Sequence, residues 1–183
     1  MVERTRNASN TTTNHERVEE RAMFTGHAAA LGIDQRLEAA GIVQELLVDL
    51  IVLSLQGKQA HWNLRGRMFR ELHLLLDELI EEARDDADQL AERCLALGVA
   101  ADGRLTTLAQ STHLEPFPEG RIADHHVVEL VVARLQAISE VGRSRLGQLG
   151  EIDLVSQDLV AGVLGGIEKK LWMFESHQPV ETS

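Results

Sequence analysis

The sequence predicts an all-α protein, four long helices in a bundle, with the second and third joined by a long connection that has room for one short helix. Three observations carry this. Leu, Ala and Val abound while aromatics make up 3% of the 183 residues, with no Tyr, two Trp and three Pro, a mixture that favours helix over strand. Apolar residues recur at three- and four-residue spacing over four long windows. Breakers gather between residues 99 and 121, where Gly103, Pro116, Pro118 and Gly120 lie. A chain of this length is one domain with enough material for a sizeable core.

Residues 1–33 read as a flexible tail, rich in Asn, Thr and charge and without a core period. Its four Arg (Arg4, Arg6, Arg17, Arg21) are matched by four Glu (Glu3, Glu16, Glu19, Glu20), which makes it a poor arm for DNA. The bundle spans residues 34–177. Its first helix begins near Asp34 and runs to about Asn63, with Leu37, Leu46, Leu47, Leu50, Ile51 and Leu53 on a broad apolar face. Gly66 breaks the pattern. The second helix runs from about Met68 to Leu97 with the stripe Leu72, Leu76, Leu79, Ala83, Leu90 and Cys94, and Gly98 is its stop. A short helix fits Leu105 to Gln110. The third long helix, from about Asp124 to Leu149, takes its period from Val128, Val131, Leu135, Ile138 and Leu146, and residues 150–153 form a turn. Asp153 is the expected N-cap of the fourth, Leu154 to Ser176, which aligns Leu159, Val163, Ile167, Leu171 and Phe174. Residues 178–183 are a short tail without basic character.

Chemistry concentrates in the second helix. His73/Asp77 and Asp88/Glu92 are two i,i+4 pairs, and the eleven residues from Asp77 to Asp88 make almost three whole turns, so both pairs lie on one side of the cylinder. They cannot serve one ion: at the helical rise, Asp77 and Asp88 stand roughly 16 Å apart, whereas ligands sit about 2 Å from their metal. Two half-sites are the natural reading. A two-fold dimer with this helix antiparallel to its copy would set His73/Asp77 of one protomer opposite Asp88/Glu92 of the other. Imidazole with carboxylate suits iron, manganese or zinc. A run such as EEARDDAD more often simply faces water, and what weighs against that here is the joint pattern.

Charge and cysteine content narrow the classes. A formal net charge of -11 repels phosphate and attracts cations. One Cys excludes an internal disulfide framework and suits a reducing cytoplasm, and Cys94 on the apolar stripe reads as buried and inert. The run Leu46 to Leu55 is interrupted by Asp49 and Ser54 and is too short to span a bilayer, so no membrane role is expected.

The segments QAHWNLRG, FRELHLLLDEL and DDADQLAERCLALG resemble the Dps family, the DNA-binding proteins from starved cells, which are small ferritin-like cages. The likeness rests on His-Trp-Asn, a His twelve residues after the first, an Asp four further on, an Asp eleven further and a Glu four beyond, and extends more weakly over residues 34–176. It implies a ferritin-like four-helix bundle assembled as a dodecamer from two-fold dimers. It also implies iron ligands at His61, His73 and Asp77 of one subunit and at Asp88 and Glu92 of its two-fold partner. Trp62 is placed near that site, where it takes up oxidising equivalents, although a core or interface Trp explains it equally well. The implied activity is oxidation of Fe(II) by hydrogen peroxide or dioxygen, storage of ferric mineral in the cage and protection of DNA, in the cytoplasm or on the nucleoid. Pores lined by acidic groups around the third helix would admit iron, and Glu119, Asp124, Glu129 and Glu140 lie there, but Ala133 stands before Arg134 where relatives carry Asp. The Glu-x-x-His motif of sites built inside one bundle is missing, since no Glu is followed by His three residues later. Two alternatives stand beside this reading: a mainly structural DNA-compacting protein, and a mononuclear iron enzyme using His61, His73 and Asp77. The pair His125/His126 reads as polar residues of a first helical turn, His15 and His27 as tail residues without ligand spacing, and Trp172, Met173 and Phe174 as core or interface filling.

Overall fold

A computed structural model describes Ala28 and residues 30–178. Its elements, in chain order, are α1 (Ile33–Asn63), β1 (Leu64–Arg65), α2 (Phe69–Ala96), α3 (Leu105–Ser111), β2 (Ile122–Ala123), α4 (Asp124–Ile152) and α5 (Leu154–Glu175). Of the expected tail, residues 1–27 and 29, His15 and His27 among them, lie outside the described residues. The four long helices and the short one fall where periodicity places them, with one correction. The turn expected over residues 150–153 shrinks to Asp153, because α4 carries its hydrogen bonding through Gly150 to Ile152 before the backbone turns extended at Asp153 (φ -154°). Glycine weakens a helix interior by about 1 kcal/mol but does not by itself end it.

α1 packs along α2, α4 along α5, and the two hairpins close on each other through α1 with α4 and α2 with α5. α2 shows why: Leu72, Leu75, Leu76, Leu79, Ile80, Ala83, Ala87, Leu90 and Cys94 are buried at helical spacing while Glu78, Glu81, Glu82 and Asp85 face outward. Every member of the expected α2 stripe is in the core. α5 starts on a side-chain cap, Asp153 accepting from the backbone N–H of Val155 at 3.3 Å and of Ser156 at 3.1 Å. The same carboxylate accepts from Arg93 Nη2 on α2 at 2.5 Å, which ties the second hairpin to the first.

The long connection is pinned by buried polar groups rather than by apolar packing alone. Asp49, fully buried on α1, accepts from Thr112 Oγ1, the His113 backbone N–H and His113 Nδ1, each at 2.8 Å. Arg134 of α4 donates to Gln56 Oε1 at 2.6 Å and to the carbonyls of Glu115 and Pro116, both at 3.1 Å, with its guanidinium 4.9 Å from the Phe117 ring centroid. Asp49→Ala removes one acceptor and leaves three donors without it. The expected result is a loss of about 1–3 kcal/mol, read as a lowered denaturation midpoint by circular dichroism with helix content retained below it.

β1 and β2 form a parallel bridge of two residues each, Leu64 opposite Ile122 and Arg65 opposite Ala123. Gly66 follows at φ +146°, a conformation that side chains rarely adopt, and a Cβ there would collide with the Asp124 carboxylate. That carboxylate accepts from the Met68 backbone N–H at 3.0 Å. The bond to Met68 leads those that hold Asp124 below the usual carboxylate range, so it stays ionised at the elbow. The elbow sets how the end of α1 faces the start of α2.

Candidate metal centre

That elbow brings His61, one turn from the end of α1, over His73 in the second turn of α2. Their rings stack with centroids 3.6 Å apart, and Phe69 stacks on His73 at 5.0 Å. His61 Nδ1 lies 3.2 Å from the His73 carbonyl oxygen, and His73 Nδ1 lies 3.3 Å from the His61 carbonyl oxygen. A carbonyl can only accept, so this exchange favours the tautomer with the proton on Nδ1 of each ring and leaves Nε2 as the ligand atom. Asp77, one turn beyond His73, completes the group: one ligand atom from each of His61, His73 and Asp77 lies within 4.8 Å of the others. Burial pushes the His61 imidazole below its ordinary value, against the pull of Asp77, and favours the neutral, ligating form.

Asp88 and Glu92 do not join this group. Both are exposed on α2, eleven and fifteen residues beyond Asp77. Within one protomer the cluster is therefore two imidazoles and a carboxylate, a hard nitrogen and oxygen set that fits ferrous iron and leaves positions for further ligands. The donors present fit the metal that the sequence implies.

Trp62, beside His61, is 70% exposed, and Trp172 is 65% exposed, so neither fills the core of the protomer, whereas Phe174 does. Cys94 is buried. His126 Nδ1 sits 3.0 Å from Glu129 Oε2 in the first turn of α4, and His125 lies near Asp124, which fits their reading as polar residues of a helix start. Of the four acidic residues named for a pore, Asp124 is committed to the elbow.

Two neighbours of the cluster were not read from the sequence. Phe69 could have been found, since it precedes His73 by four residues on one face. Lys58, three residues before His61, donates from Nζ to Asp77 Oδ1 at 2.6 Å. Its helical spacing was visible, but a cation among metal ligands is not something that ligand spacing suggests.

The fold agrees with what comparison with known proteins finds. A ferritin-like domain model matches residues 41–179, which defines the class of protein. A DNA protection during starvation protein of Agrobacterium fabrum is 31% identical over 75% of this chain and 85% of its own length. The chain belongs to the Dps family. DNA protection during starvation protein 2 of Deinococcus radiodurans is likewise 31% identical over 80% of the chain, which spans 61% of that relative's length. The solved structure of Dps from Microbacterium arborescens in a high iron form superposes with a TM-score of 0.75 at 33% identity, covering 78% of this chain and 93% of that one. Among the described residues no helix is long and apolar enough to cross a membrane.

Proposed function

We propose that the protein oxidises ferrous iron at sites shared between two-fold related protomers and stores the ferric product inside a dodecameric cage, thereby keeping iron and peroxide away from DNA. The observation that carries this is the convergence of His61, His73 and Asp77, with a second ligand pair, Asp88 and Glu92, exposed further along the same helix. Iron is substrate and cargo here. Two ferrous ions held at one shared site give one electron each, and together they reduce one hydrogen peroxide to two waters with uptake of two protons, so no hydroxyl radical is released. The chain's own residues hold the ions: neutral imidazoles donate through Nε2 and ionised carboxylates balance charge. A net charge of -11 on each protomer draws cations toward the particle.

The same charge opposes direct binding to DNA phosphates, so protection through iron and peroxide removal is favoured over compaction. Light scattering combined with anaerobic ferrous titration and peroxide addition tests the reading. The expected particle is many times the 20.3 kDa protomer, and peroxide is consumed in the ratio that balances two one-electron oxidations against one two-electron reduction. A monomer that binds a single ferrous ion would instead support the mononuclear alternative.

A further inference from the structure

Lys58 sits one turn before His61 on α1, and its ammonium is hydrogen-bonded to Asp77 Oδ1 at 2.6 Å, the same oxygen that stands 3.3 Å from His61 Nδ1. With 27% of its side chain exposed, Lys58 is not a freely solvated surface residue. An ammonium at this distance supplies the positive charge that a divalent ion would bring to the same oxygen, and two cations on one carboxylate oxygen repel each other.

We infer that Lys58 is a built-in competitor for Asp77, so that a metal ion enters the cluster by displacing the ammonium and leaves more readily because the ammonium returns. This rests on the ferroxidase reading of the site and adds to it a reason why the ion does not stay. Lysine suits the task, since its charge is compact and its flexible four-carbon stem lets the ammonium swing away without moving α1. A site of two imidazoles and a carboxylate would otherwise favour a resident metal. A storage protein needs a transit site, where each oxidised ion moves on to the mineral.

Calorimetric titration of zinc, which has no redox chemistry, into the purified protein reads this directly without turnover. Lys58→Met keeps the aliphatic stem and removes the charge, and it is expected to bind zinc at the cluster more tightly by on the order of tenfold. Lys58→Gln, a second neutral variant, is expected to tighten binding in the same direction, and it carries the test if the Met variant does not fold. His73→Ala is the control and should lose the cluster's binding isotherm. Unchanged or weaker zinc binding in the neutral Lys58 variants, with the His73→Ala loss intact, would overturn the competitor role alone. Zinc binding that survives His73→Ala unchanged would remove the site assignment and the competitor with it.

Discussion

His73→Ala slows the initial oxidation of ferrous iron on the order of a hundredfold, and Asp77→Ala does the same, while particle mass stays at the wild-type value. The reasoning starts from geometry. His73 offers Nε2 to the metal while its Nδ1 faces the His61 carbonyl at 3.3 Å, so its loss deletes one ligand and the ring that stacks on His61. The neighbouring Leu72, Leu75 and Leu76 hold α2 in the core whatever stands at position 73, so the fold does not depend on the ring. Stopped-flow absorbance of ferric product, beside light scattering on the same sample, separates chemistry from assembly. Wild-type initial rates in both variants would remove His73 and Asp77 from the site.

Mixed particles give the second large effect. Asp77→Ala and Asp88→Ala chains are each expected to be nearly inactive alone, yet particles assembled from equal amounts of both should regain activity. If every site takes Asp77 from one protomer and Asp88 from its two-fold partner, a mixed dimer holds one doubly damaged site and one intact site. With random pairing, about a quarter of all sites are whole. The check is initial oxidation rate in particles whose mixed composition is verified by mass spectrometry. No recovery in such particles would show that Asp88 does not complete a site begun by Asp77 of another chain.

Periodicity in the sequence was enough to place the long helices, because each buries one stripe and the stripe is written in residues such as Leu72, Leu76, Leu79 and Ala83. The turn expected over residues 150–153 is too long, because Gly150 is compatible with the last turn of α4 and the observed stop is the extended backbone at Asp153. The convergence of His61 and His73 is less local than their twelve-residue spacing suggests. It needs Gly66 in a left-handed conformation and Asp124, more than fifty residues away, to bond Met68. No spacing rule finds that partner. Lys58 escaped for another reason: the sequence shows its place on the helix but not which of the nearby carboxylates its long side chain will choose.

The elbow also bears on the order in which this protein is made. The α1–α2 hairpin leaves the ribosome before Asp124 does, and until that carboxylate and the β1–β2 bridge arrive, the turn that stacks the two histidines lacks its tether. Closing the intervening loop costs chain entropy that grows slowly with its length, and Asp49 and Arg134 meet part of that cost by fixing the connection to the bundle. A nascent chain thus acquires the geometry for gripping metal only after Asp124, the first residue of α4, has been made.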